Sequence, residues 1–320
     1  MSSSRTSSGD PTGDSFVASQ AERLSRPARL IILLWVLSAV AYLGWRAGTL
    51  NPAAAIFSWL VYGAELLAFA ASLLTLFMVW TLRRRDTPTP DHDLSVDLLI
   101  VADGEPLDRL RHCLLAARNV DYPHGTWLLD DGNDPERKAL AAELGARHLA
   151  GEAGAAGQNA RLNRALQQST ASYLAIFRAD HAPKRSFLDD TLGHFRDPRV
   201  AFVQSAQDFL NLESLAASRP ELRSRGGQSL FFRVIQRGRD CWNAAQYCGS
   251  CAVFRRLGLE AIGGFPADRP GADLDTSLAV HKAGLHSVYV AEPLAFGIAP
   301  TSLQAAETAR PVSTLTRLAR

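Results

Sequence analysis

Cysteine is scarce in this chain: four among 320 residues are too few for a disulfide-stapled scaffold. Net charge is scarce as well. Lys and Arg total 34 against 32 Asp and Glu, and the excess of +2 excludes the basic footprint by which proteins neutralise nucleic-acid phosphates. What is plentiful is apolar surface. A 47% apolar content rules out disorder of the whole chain, and the length allows about two folding units. The apolar residues are unevenly placed, concentrated before position 83 and spread at globular density after it.

Residues 1–28 are rich in Ser, Gly, Asp and Thr, too polar to offset ordering entropy, and read as a disordered tail. Residues 29–85 read as a transmembrane helical hairpin. An apolar run over 30–45 is flanked by Arg29 and Arg46, and a longer run over 52–82 is broken only by Glu65. Each is long enough, with its flanks or some tilt, to cross about 30 Å of hydrocarbon. Arg23, Arg26 and Arg29 precede the first span and Arg83, Arg84 and Arg85 follow the second, against a lone Arg46 between them. That asymmetry places both ends, and the soluble part, in the cytoplasm. Ala39-Val40-Ala41 also fits a signal-cleavage pattern, which the second span close behind argues against. Glu65 is either a functional intramembrane acid or a residue satisfied at a helix contact.

After a linker at 86–93 the pattern changes to short apolar runs alternating with amphipathic stretches, as in parallel strands interleaved with helices. Strands are expected over 96–102, 126–130, 173–177 and 200–204, and helices over 107–119 and 136–146. In an open α/β sheet a ligand sits beyond the carboxyl ends of the strands, so Asp130, Asp131 and Asp180 point to one crevice. Carboxylates there suit Mg2+ or Mn2+ bridging phosphates, and equally suit helix caps or Asx turns.

A denser signal comes from residues 236–265, QRGRDCWNAAQYCGSCAVFRRLGLEAIGGF, together with DYPHGTWLLDDG (121–132), FRADHAPKRSF (177–187), RVAFVQ (199–204) and Glu292-Pro293-Leu294. Across residues 94–303 the chain resembles the catalytic subunit of bacterial cellulose synthases, family 2 glycosyltransferases. The resemblance implies an α/β GT-A (Rossmann-like) domain behind membrane helices at the bacterial inner membrane. It implies a UDP-sugar donor and a β-glucan acceptor, other polysaccharide synthase subunits as partners, and Mg2+ or Mn2+ as cofactor. By the same resemblance Asp130, Asp131 and Gly132 of the DDG motif, with Glu105 and Arg178, line the donor site. Cys248, Gly249, Ser250 and Trp242 line the acceptor region, Asp180 and His181 stand at the metal motif, and Asp273 aligns with the general base.

Several motifs are altered. The family's D-x-D metal motif reads Arg178-Ala179-Asp180, so a cation replaces the first carboxylate. Arg178 either pairs with Asp180 or binds phosphate directly, since guanidinium engages phosphate bidentately. The P-T-Y-N-E opening reads Val101-Ala102-Asp103-Gly104-Glu105, the lysine-bearing H-A-K-A-G-N segment reads Gly157-Gln158-Asn159-Ala160-Arg161, and residues 304–320 lack a Q-x-x-R-W motif. Three readings follow: a membrane glycosyltransferase, a non-catalytic pseudo-glycosyltransferase serving as an assembly subunit, or a decayed truncated gene product. Nor is a polymer channel expected from this chain alone. Among the remaining signals, Cys248 and Cys251 are too few for a zinc site, Cys113 and Cys241 read as buried thiols, Trp242 as interior packing, and His281 and Lys282 as a solvated helix face.

Overall fold

The computed structural model describes residues 19–91, 93–151, 157–209 and 230–297. The tail expected to run to residue 28 is already paired at β1 (Ser19–Arg23), whose partner is β2 (Thr81–Arg85). Between these strands run α1 (Arg26–Ala47), a 3-10 turn at Pro52–Ala54 and α2 (Ala55–Val79). Ser25 caps α1 by accepting the Ala28 N–H, and Asn51 accepts that of Ala53 at the hairpin turn. Both helices are long and apolar enough to cross a membrane, and within their most apolar windows 6% and 0% of residues are buried. Leu30, Ile31, Leu37, Ile56, Phe57 and Leu67 all point outward.

The two helices touch through a few polar contacts. Tyr42 donates to Glu65 Oε1 (3.2 Å), Arg46 lies 3.7 Å from Glu65 Oε2, and Tyr62 donates to the Leu43 carbonyl (3.2 Å). Glu65 is thereby paired in part within the hairpin: Oε1 accepts from Tyr42, while Oε2 faces the Arg46 charge without a hydrogen bond among the described residues.

The soluble part is one curled eight-stranded sheet. Its strands are β3 (Val96–Ala102), β4 (Gly125–Asp130), β5 (Arg147–Leu149), β6 (Tyr173–Arg178), β7 (His181–Pro183), β8 (Val200–Phe209), β9 (Ala252–Arg255) and β10 (His286–Gly297), in the order β5-β4-β3-β6-β9-β8-β10-β7. Strands β3, β4, β5 and β6 run parallel, β9 is reversed between β6 and β8, and β7 closes the edge antiparallel to β10. Alternate residues of β3 enter two cores. Leu98 and Ile100 pack with Leu110 and Leu114 of α3 (Leu107–Arg118), while Leu99 and Val101 pack with Leu162 and Ala165 of α5 (Gln158–Gln168). Between them in sequence, α4 (Pro135–Glu143) follows β4. A sheet covered on both faces demands the continuous apolar runs seen in the sequence.

Pro293 sits in β10, where a strand cannot use a missing N–H, and the register slips on either side of it. The domain grips the hairpin through a short helix, α7 (Gln236–Asp240), preceded by a turn of π-helix at Phe231–Ile235 and a four-residue α6 (Asp189–Leu192) earlier in the chain. Asp240 is wholly buried and receives a bidentate pair from Arg85 of β2 (2.7 and 3.0 Å) and the N–H of Tyr289 (3.0 Å). Gly238 lies so close to α2 that a Cβ there would stand 2.6 Å from the Met78 carbonyl oxygen.

Candidate active site

The parallel strands deliver their last residues to one end of the sheet. Asp130 closes β4, Arg178 closes β6, and Asp103 and Glu105 follow β3. Asp130 is wholly buried and accepts from Arg137 Nη1 (2.6 Å) and the Asp134 N–H (3.2 Å), with His148 Nε2 at 3.2 Å. Burial opposes its ionisation, but the hydrogen bonds from Arg137 and His148 outweigh that and hold it below the usual carboxylate range. The same Arg137 nitrogen donates to the half-exposed Asp131 (2.8 Å), and Nη2 donates to the Glu105 carbonyl (3.3 Å).

Glu105 folds back to accept the Asp103 N–H (2.6 Å). Burial lifts its carboxyl above the ordinary range, with neighbouring Asp103 and Asp180 adding to the rise against the backbone hydrogen bonds. Asp103 pairs with the buried Arg161 of α5. Asp180 meets His181 Nδ1 at 2.9 Å and Arg178 at 3.4 Å. Burial would raise its pKa, yet His181 and Arg178 bring it down to about 2.

The Cys-Gly-Ser-Cys loop lies across the end of β6. Ser250, wholly buried, accepts the Arg178 N–H (3.0 Å), and Gln158 donates to the Gly249 carbonyl (2.7 Å). The buried Gln204 side chain locks the loop, accepting the Cys248 N–H (2.9 Å) and donating to the Ser250 carbonyl (2.9 Å). Gly249 has φ +77°, and an added Cβ would stand 2.8 Å from Asp273 Oδ2, so only glycine lets the loop approach that carboxylate. Asp273 lies in the first turn of α9 (Ala272–Lys282), the helix after α8 (Arg256–Ala261). Burial pushes its carboxyl up to about 6, Arg178 opposes the rise and Asp268 adds to it. Burial also pushes the Cys248 thiol up to about 12 and raises Cys251, so neither is a thiolate nucleophile at neutral pH.

Asp130, Asp131, Glu105, Arg178, Asp180, His181, Gly249, Ser250 and Asp273 therefore form one connected set at the strand ends. Gly132 follows in the same loop, its carbonyl accepting the Gly151 N–H (2.9 Å). Trp242 does not pack the interior as expected: it is 56% exposed and its ring lies on Phe77 of α2 at 4.9 Å between centroids. Residues 304–320 lie outside the described residues, and with them the expected loss of the Q-x-x-R-W motif.

The reading by strand ends missed Arg137, the hub that neutralises the DDG pair. A signal for it exists: a cation in the first turn of a helix opposes the helix dipole and needs a local anion to hold it there. His148, Gln158 and Gln204 carry no such mark. A cavity of about 1060 Å³ lies elsewhere, at the amino end of β3, lined by Asp93, Asp97, Asp121, Asp189 and Asp190 among others.

The donor chemistry at the D-x-D position does not fit a divalent cation. Asp180 pairs with His181 at 2.9 Å and lies 3.4 Å from Arg178, the guanidinium stands where a second carboxylate would bind, and among the described residues no three His, Cys, Asp or Glu side chains come together as ligands.

An α/β sheet of this order, with acids and a cation at the ends of its parallel strands, defines a nucleotide-sugar transferase fold, and residues 98–263 match the profile "Glycosyl transferase family 2". The chain belongs to that family. It is 36% identical over 298 residues to the cellulose synthase catalytic subunit [UDP-forming] of Xanthomonas axonopodis pv. citri, covering 87% of this chain and 41% of that protein. The Pseudomonas fluorescens cellulose synthase catalytic subunit [UDP-forming] is 33% identical over 296 residues, covering 87% of this chain and 40% of that protein. The chain thus spans about two fifths of the length of these relatives. Among solved structures, the mannosyltransferase PcManGT from Pyrobaculum calidifontis, in complex with GDP-Man and Mn2+, shares the fold with a TM-score of 0.52 at 20% identity, over 68% of this chain and 61% of that one.

Proposed function

We propose that the chain is a membrane-anchored hexosyltransferase of the cellulose-synthase-like class, taking a UDP-linked sugar at the strand ends and passing it to a glucan hydroxyl. The observation that carries this is Asp273. A carboxyl lifted to about 6 beside a cation is ionised at neutral pH and basic enough to take a proton from an attacking hydroxyl. Arg178, at the carboxyl end of β6, is close enough for its charge to act on Asp273, and offsets the charge of a leaving diphosphate.

Anchoring is supported by the outward apolar surface of α1 and α2. A large apolar side chain left in water forgoes roughly 1.5–3 kcal/mol, which a bilayer returns. The basic residues flanking the hairpin argue for a cytoplasmic domain.

The test is transfer of label from UDP-glucose by detergent-purified full chain. Asp273→Asn should lower turnover by about 10²–10⁴-fold. In the unaltered protein the rate should fall away below pH about 6 as Asp273 protonates. Turnover that survives Asp273→Asn with an unchanged pH profile would defeat the assignment.

One observation favours a second reading, a non-catalytic assembly subunit of a polysaccharide synthase. The acids of the DDG pair and Asp180 are already engaged within the chain, by Arg137, His148, His181 and Arg178. Donor binding without any turnover would establish it.

A further inference from the structure

Arg178 is fixed at its root and loose at its tip. Its N–H is held by the buried Ser250, and its backbone continues the ladder of β6 against Val101 of β3. Its guanidinium, in contrast, meets Asp180 only at 3.4 Å through Nε and Nη2; Nε is buried without a hydrogen-bond partner among the described residues, and the exposed part of the group is its Nη end. A cation that is satisfied by its neighbour pairs at 2.6–2.8 Å, as Arg85 and Arg137 do elsewhere in this fold. The side chain remains about a third exposed, and its charge acts on the Asp273 carboxyl. A guanidinium with donors to spare, aimed from a rigid strand end, suits an incoming group that carries several acceptor oxygens and negative charge.

The same position is where a divalent cation would need its second carboxylate, and the residues present do not supply one. We propose that Arg178 takes the place of the metal, so that the site holds the diphosphate of a nucleoside diphosphate by direct guanidinium contacts and without a divalent cation. Asp180 then serves as a positioning residue. With His181 on its other side, it tethers the guanidinium until phosphate oxygens replace it as partner. A second guanidinium, that of the buried Arg161, also has an Nε without a partner among the described residues, its Nη2 being taken by Asp103. The inference rests on the donor reading given under Proposed function and specifies how that donor is held.

The experiment is calorimetric titration of the detergent-purified full chain with UDP and, separately, with uridine, in EDTA and in Mn2+. UDP should bind in EDTA, with an affinity changed less than about twofold by Mn2+. Arg178→Gln should weaken UDP by about ten- to a hundredfold, the loss of one charge-assisted contact, and leave uridine unchanged, which also certifies the fold of the variant. UDP binding that requires Mn2+ overturns the inference while leaving the donor reading intact. UDP binding in EDTA that Arg178→Gln does not weaken also overturns it. No UDP binding in either buffer by folded protein overturns the donor reading, and the inference with it.

Discussion

Asp273 carries a cost that the rest of the domain bears. Its carboxyl is displaced upward from 3.8 to about 6, so the folded state binds a proton more tightly than the unfolded chain does. Between those two values stability falls as pH rises, and above about pH 6 the whole penalty is present, about 3 kcal/mol for a shift of this size. Asp273→Asn should therefore melt higher than the parent protein at pH 8 and together with it at pH 3.5, read by thermal unfolding of both. A variant destabilised at pH 8 would mean that the carboxylate is favourably held and not strained. Activity lost together with stability gained is the mark of a group placed for chemistry. The approach of Gly249 to the same carboxylate explains why the loop carries glycine there.

The elements of the parallel half were legible because both faces of the sheet are buried. The runs at 96–102 and 126–130 have no alternation to confuse, and β3 and β4 fall within a residue of where they were expected. The helix expected over 136–146 stops at Glu143, since Gly145 (φ 76°) turns the chain into the short β5. Strands β7, β9 and β10 were not legible: three or four residues are too few to set a period, and β10 contains a proline that normally argues against a strand. β1 escaped for a different reason, as Ser-Gln-Ala-Glu-Arg has the composition of a tail and is ordered by pairing with β2, whose Thr81 lies 58 residues beyond its partner Arg23. In the site, the acids were legible by type and position, whereas Arg137 and Gln204 act through side-chain contacts that no local pattern encodes. The junction element α7 offers its own test. Asp240→Ala leaves the largely buried Arg85 without its carboxylate and removes the acceptor of the Tyr289 N–H, which should destabilise the domain by about 3–5 kcal/mol. Chemical denaturation in detergent measures this, and a change under 1 kcal/mol would show that the hairpin and the domain are not coupled through this pair.

For the whole molecule, the proposed anchoring by the hairpin, with the basic residues around it, gives a direction that can be tested. Arg26 and Arg29 at the start of α1 and the Arg83, Arg84, Arg85 run after α2 share one side, and Thr49 lies in the turn on the other. Thr49→Cys should be labelled by a membrane-impermeant maleimide in intact bacteria, and Asp93→Cys only after permeabilisation. Equal labelling of the two positions would contradict a spanning hairpin. The ribbon of β1 and β2 also has a mechanical meaning. Ser19 pairs with Arg85, so the strand that leads into α1 and the strand that leaves α2 for the domain begin and end at the same place. Tension between Ser19 and the domain therefore loads the ribbon at its open end, breaking its hydrogen bonds one after another and not all at once. The clasp yields to a small pull from that side, while the Arg85 grip on Asp240 keeps the domain seated on the hairpin.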